Sequence, residues 1–152
     1  MQYWLIKSEP SDFSIDDLQK CPKQTEPWDG IRNYQVRNMM RDEMKQGDQT
    51  FFYHSSCAEP GIVGIMEIVS QAYADPTAFD PKNKHFDPKS DPDSPRWLLV
   101  DVKFKQKFAR TLTLTELRAQ KGLASMRLLQ RGNRLSVTPV SKKEWKLVVG
   151  LI

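Results

Sequence analysis

Of the 152 residues only two are cysteine, Cys21 and Cys57. They lie far apart and have no second cysteine or histidine at zinc-finger spacing, so a disulfide framework is excluded and free thiols in a reducing compartment are expected. Long hydrophobic runs are lacking as well: Lys7 interrupts the opening "YWLI" and later apolar stretches alternate with charges, which leaves nothing to span a bilayer. The start carries no basic segment followed by an apolar one and a small-residue cleavage site, so no secretory signal is expected. Glycine-rich phosphate loops, the nucleophile elbow and the metalloprotease helix are all missing, and with them the expectation of a cofactor, a metal or catalysis. There are no internal repeats and no low-complexity tail.

What is present is a hydrophobic fraction of 39% and a net charge of +4. The first suits one domain over residues 1–152 with its own core. The second favours a polyanionic partner without identifying one.

Patterning supplies the elements. "YWLIKS" (residues 3–8) reads as an opening strand, and Ser14 with Asp17 as the capped start of a short helix. In "PWDGIRNYQVRN" (residues 27–38), Trp28 to Arg32 form a turn feeding a helix that begins near Asn33; Val36, Met39, Met40 and Met44 share one helical face. "QTFFYHS" (residues 49–55) and "GIVGIMEIVS" (residues 61–70) read as a hairpin. Residues 74–95 carry five prolines and no periodicity, which predicts a long loop. "WLLVDVKFKQKF" (residues 97–108) alternates as one half-buried strand with a basic outer face, and "RLSVTPV" (residues 134–140) is a last strand. Thr113 with Glu116 and Ser141 with Glu144 form two further capping boxes. Strands dominate and no βαβ alternation is visible, so the fold class is α+β and mainly β: a small, mostly antiparallel barrel or strongly curved sheet with short flanking helices.

Chemically, His54 and Cys57 stand three apart, an offset that on a strand points them to opposite faces and argues against a nucleophile pair. The acids of the proline-rich loop do not follow a calcium-loop pattern and read as turn residues. Trp28 is different, because it lies in a turn and off any apolar periodicity. A base plane can stack on the indole while Asn33, Asp29 or Ser8 reads its edge and Arg32 or Lys7 meets a phosphate; equally, Trp28 can cap the core while Arg32 pairs with Asp29.

The words "WLIKSEPSDFSIDDL", "WDGIRNYQVRN", "FFYHSSCAEPGIVGIMEI", "DPTAFDP", "VDVKF" and "RLSVTPVS", in this order over nearly the whole chain, resemble an EVE domain of the thymocyte nuclear protein-like family. The resemblance implies a PUA-like curved antiparallel β-barrel with short flanking helices, related to YTH domains, and a module that recognises a modified base, foremost a modified cytosine in DNA, in an aromatic-lined pocket. An RNA-binding PUA-like reader is the alternative. A third reading, an enzyme or small-metabolite sensor, would draw on His54 or Glu9.

By position, the resemblance places Lys7, Ser8, Trp28, Asp29, Arg32, Asn33, Tyr53, His54 and Ser55 at the pocket, with Arg134, Leu135 and Ser136 contributing backbone and base-edge contacts. Phe79, or failing that Trp97, would form a second aromatic wall. The expected partner is nucleic acid, with no membrane and no metal, and the expected species is a monomer. The lack of a basic N-terminal tail points to a bacterial cytoplasm, with the nucleus the setting in a eukaryote.

Overall fold

A computed structural model describes residues 1–152. Strand β1 (Tyr3–Ser8) alternates its side chains across the sheet, with Trp4 and Ile6 on one side and Leu5 on the other, and all three are buried. Both faces of the sheet are therefore covered, which explains why the central strands read as continuous apolar runs. After β1 come helix α1 (Ile15–Lys20), the short strand β2 (Thr25–Pro27) and helix α2 (Tyr34–Asp42). Then follow β3 (Gln49–His54), β4 (Gly61–Ile68), the small pair β5 (Tyr73–Ala74) and β6 (Leu98–Leu99), and the long β7 (Asp101–Thr113). Helix α3 (Leu114–Arg118), β8 (Val137–Val140) and α4 (Lys142–Gly150) close the chain.

Six strands make one curled sheet in the order β2-β7-β4-β3-β1-β8, a half-barrel that keeps two edges. Pairings are antiparallel except β1 with β3, where Tyr3 faces Gln49 and Ser8 faces His54. The parallel pair follows from the crossover through α1, β2 and α2, too long a connection for a hairpin. At one edge, β2 ends on Pro27, which has no N–H to offer a further strand.

The single strand expected over residues 97–108 is instead broken at Val100 into β6 and β7, and β7 runs on to Thr113. Two irregularities in the β4–β7 register, at Ile62/Gly64 and Ile65/Met66, bend it and interrupt strict alternation. Likewise the last strand begins at Val137, leaving Arg134 to Ser136 in the loop before it.

Capping holds as read at Ser14 and Ser141, where both halves of each box are made. At Thr113 only the hydroxyl half forms, because Arg110 takes the Glu116 carboxylate in a bidentate pair at 2.8 Å. Helix α2 buries Val36, Met39 and Met40, with Met44 just beyond it, against β1 and β3. On the other face α3 and α4 close over Phe51, Ile62, Phe108 and Leu112. No helix is long and apolar enough to cross a membrane.

Candidate functional site

On the α1/α2 side the cover is incomplete, and a cleft of about 450 Å³ opens there, within the size range of small-ligand sites. Its floor is the end of β1, where Lys7 and Ser8 stand next to Ser55 at the end of β3. Backbone bonds fix this floor: Ser55 N–H donates to the Ser8 carbonyl at 2.9 Å and Lys7 N–H to the Ser136 carbonyl at 2.8 Å. Glu9, Asp12 and Phe13 rise from the turn after β1, and Glu26 to Asp29 from the end of β2. Lys84 and His85 come from the proline-rich loop, and Arg134 and Ser136 from the loop before β8.

Trp28 is half-buried and its backbone is pinned by an N–H donated to the Val100 carbonyl at 2.8 Å. Phe13 and Phe52 meet the indole nearly at right angles, at centroid distances of 5.8 and 5.7 Å, so neither lies on it in a parallel stack. Phe13 is itself held by the Ser8 hydroxyl, which donates to its carbonyl at 2.6 Å. The indole is therefore rigid and still presents area to the cleft. Apart from Trp28 and Phe13 the wall is polar or charged, save for Pro27.

The turn after Trp28 is clamped to the proline-rich loop through Asp75, which is fully buried. Gly30 N–H donates to its Oδ2 at 2.9 Å and Arg32 Nη1 to the same oxygen at 3.0 Å, while the Thr77 hydroxyl and N–H take Oδ1 at 2.6 and 2.9 Å. Arg32 also donates to the His85 carbonyl through Nη2 and Nε, at 2.6 and 3.1 Å. Gly30 lies in the left-handed region at φ +83°, and a Cβ there would come within 2.6 Å of the His85 ring. One buried cluster thus brings His85 and Lys84 to the cleft and prescribes glycine twice over. Burial pushes the Asp75 carboxyl up, but the bonds from Thr77, Gly30 and Arg32 outweigh it and hold it below the usual carboxylate range.

Charges in the wall are mixed: Lys7, Lys84 and Arg134 face Glu9, Asp12, Glu26 and Asp29. Burial lowers the Lys7 ammonium. The Asp29 carboxyl is pushed up by desolvation first and by the neighbouring Asp75 second. Asp12 pairs with Lys84 Nζ at 3.3 Å across the mouth, and Glu26 accepts from Cys21 Sγ at 3.3 Å. No three His, Cys, Asp or Glu side chains group as a metal site requires.

Of the residues singled out in the sequence, Lys7, Ser8, Glu9, Trp28, Asp29, Ser55, Arg134 and Ser136 meet at this cleft. The others are placed elsewhere. Arg32 turns away from a phosphate position into the Asp75 clamp. Asn33 caps α2, accepting from Val36 N–H at 3.0 Å. Tyr53 points to the opposite core, as alternation along β3 demands. His54 Nε2 accepts the Ile15 N–H at 3.1 Å, and burial keeps its imidazole below the ordinary pKa, so the ring is spent on α1. Leu135 packs against the core beneath the cleft.

Neither Phe79 nor Trp97 forms a second wall. Phe79 ends a 3-10 turn, and Trp97 is buried against Tyr34 with Nε1 donating to Asp87 at 2.7 Å. The second aromatic of the cleft is Phe13, in the turn between β1 and α1, which the sequence did not single out. Asp12, Glu26, Pro27, Lys84 and His85 complete the set that the sequence did not single out. Of these, Lys84 and His85 had no local signal at all, since long-range contacts of Gly30 and Arg32 with Asp75 and of Arg32 with the His85 carbonyl bring their loop back.

The curled sheet, its flanking helices and a tryptophan-walled cleft at the end of β1 define a PUA-like domain. The chain belongs to the EVE domain family, whose model matches residues 2–151. It is 48% identical to thymocyte nuclear protein 1 of Danio rerio over 97% of this chain and 71% of that one. Among solved structures it is similar to a Pseudomonas putida protein, with a TM-score of 0.93 and 48% identity over 98% of each chain. It is also similar to the human THYN1 protein in complex with 5-methylcytosine containing DNA, with a TM-score of 0.94 and 44% identity over 99% of this chain and 97% of that one.

Proposed function

We propose that this domain binds nucleic acid by taking one modified cytosine base out of its strand and stacking it on Trp28 in the cleft beside Lys7, Ser8 and Asp29. The observation that carries the reading is the indole itself: a half-buried tryptophan with no parallel stacking partner, on the wall of an otherwise polar cleft, fits a flat heterocycle whose edge carries hydrogen-bonding groups. The methylcytosine-containing DNA bound by human THYN1, over nearly the full length of both chains, supports cytosine in DNA as the base and strand. Extrusion costs a few kcal/mol, recovered by stacking and edge hydrogen bonds. Lys84 and Arg134 at the mouth supply cations for the flanking phosphates. Because methyl burial contributes only about 1 kcal/mol, methyl recognition alone gives roughly tenfold selectivity or less.

The role is binding without turnover. Of the two candidate bases, His54 is committed to the Ile15 N–H and lies outside the cleft wall, while Glu9 lines the cleft with no cysteine nucleophile beside it. The proposed species is a monomer, in a bacterial cytoplasm such as the organism of the Pseudomonas putida protein would offer, or in a nucleus as the name of the thymocyte nuclear protein 1 relatives suggests.

The test is a titration by tryptophan fluorescence and anisotropy with short strands that differ in one cytosine, plain, methylated or hydroxymethylated, as DNA and as RNA. A preferred modified DNA strand, weakened about 10- to 100-fold in a folded Trp28→Ala variant, is the expected result. Equal affinity of wild type and variant would remove the base pocket, and tighter binding of the matched RNA would move the reading to a 2′-hydroxyl-dependent RNA module.

A further inference from the structure

A cleft that recognises the methyl of 5-methylcytosine faces a competitor present at every turn of DNA. Thymine carries the same methyl at the same ring position and differs at the 4-position, where cytosine has an amino donor and thymine a carbonyl acceptor. Stacking on Trp28 and contact with the methyl treat the two alike. Rejection of thymine therefore requires a hydrogen-bond acceptor fixed beside the indole, where it rewards the amino group and repels the carbonyl oxygen.

The acids of the cleft can be sorted for that role by what already occupies them. Asp12 is paired with Lys84, and Glu26 receives the Cys21 thiol. Glu9 lies in the turn after β1, nineteen residues before the indole in the chain, and its main-chain carbonyl accepts the Asp12 and Phe13 N–H groups. Asp29 directly follows Trp28 in the chain, and a tight turn holds it there, its own N–H donating to the Pro27 carbonyl at 3.1 Å. No protein donor reaches its carboxylate: what acts on it is partial desolvation and the charge of Asp75 on one side, offset by His85, Arg32 and Lys84 on the other. The next residue, Gly30, sends its N–H to Asp75 instead. The Asp29 side chain is exposed at the cleft and accepts from no protein donor, which leaves its oxygens available to a ligand N–H.

Resting on the reading of the cleft as a modified-cytosine site, we infer that Asp29 is the specificity residue that accepts the exocyclic amino group and excludes thymine. The carboxylate, together with the Trp28 plane, defines the bound class as amino-bearing pyrimidines. A carboxylate accepting the cytosine N4 amino group is a recognised pairing in base readout.

The experiment compares three single strands identical except for one residue: cytosine, 5-methylcytosine or thymine, titrated against wild type, Asp29→Asn and Asp29→Ala by anisotropy. Wild type is expected to bind the 5-methylcytosine strand about tenfold or more tightly than the thymine strand. Asp29→Asn, whose amide can donate to the thymine carbonyl, is expected to bring that ratio to about one or invert it. Asp29→Ala is expected to weaken the 5-methylcytosine strand and leave the thymine strand within about twofold. If both variants fold by circular dichroism and keep the wild-type ratio, the assignment of Asp29 is overturned while the pocket stands. If wild type binds no strand in a Trp28-dependent manner, the pocket reading falls and takes this assignment with it.

Discussion

The two faces of the sheet each hold a half-buried tryptophan, and they use it in opposite ways. On the closed face, Trp145 of α4 stacks in parallel on Phe51 at 3.9 Å and on Tyr3 at 4.8 Å between centroids, so aromatic area is spent on aromatic area. On the open face, Trp28 meets Phe13 and Phe52 nearly at right angles and has no parallel partner. A ring stacked on two others spends its faces on the fold, whereas Trp28 stacks on no other ring and lines the cleft. Exposure alone does not separate the two; the angle between the rings does.

Breaking each face in turn gives the largest effect. Phe51→Ala removes a fully buried ring beneath Trp145 and is expected to cost about 3–5 kcal/mol, read as a lower denaturation midpoint at unchanged slope. The folded fraction should bind strands like wild type. Trp28→Ala should do the reverse, with a much smaller midpoint shift and most of the affinity gone. If both variants lost stability and binding together, the division of labour between the faces would not hold.

Next in size is the Asp75 clamp, which belongs to the open face and has no counterpart on the closed one. Arg32→Ala strands a fully buried carboxylate and frees the loop that carries Lys84 and His85. A stability loss of up to about 3 kcal/mol is expected, below the range for fully buried pairs because the Arg32 side chain is 23% exposed. Strand affinity should fall with it. Arg32→Lys should not rescue either property, because a point charge cannot serve Asp75 and the His85 carbonyl at once.

Two carboxylates sharpen the comparison through pH. The Asp75 carboxyl lies below its unfolded value of about 4, so its stabilisation is present above that pH and disappears as pH falls through the folded value. Asp29 has the opposite sign: its folded value is raised, so ionisation at neutral pH costs stability that returns as pH falls through that value. Thermal midpoints between pH 3 and 7 should therefore drop more steeply toward acid in wild type than in Asp75→Asn. Asp29→Asn should be as stable as wild type or slightly more so at pH 7, the mark of a side chain retained for binding.

Much of this was legible in the sequence for local reasons. Continuous apolar runs gave the central strands, Ser14, Asn33 and Ser141 gave helix starts, and a tryptophan in a turn without apolar periodicity gave the cleft's one large plane. What stayed hidden depends on pairing across long separations. Arg32 read as a phosphate ligand because nothing local reveals that Asp75 waits to receive it, and residues 74–95 read only as a long loop for the same reason. Tyr53 was misplaced by neglecting the alternation that sends Phe52 and Tyr53 to opposite faces. The break of the long strand into β6 and β7 accompanies a change of partner, β6 pairing with β5 and β7 with β4 and β2, which the sequence of the strand alone does not carry.

The smallest effect concerns the mouth of the cleft. Lys84 and Asp12 form an ion pair whose side chains are 67% and 65% exposed, so it contributes at most about 1 kcal/mol to the fold and less in salt. Asp12→Asn should leave thermal stability nearly unchanged and free Lys84 for a phosphate, raising affinity at low salt. Lys84→Ala should lower affinity for every strand alike and reduce the slope of log affinity against log salt by about one, while the ratio between methylated and plain cytosine stays fixed. A changed ratio in Lys84→Ala would mean that the lysine reads the base edge, and the separation between a charged mouth and a selective floor would have to be redrawn.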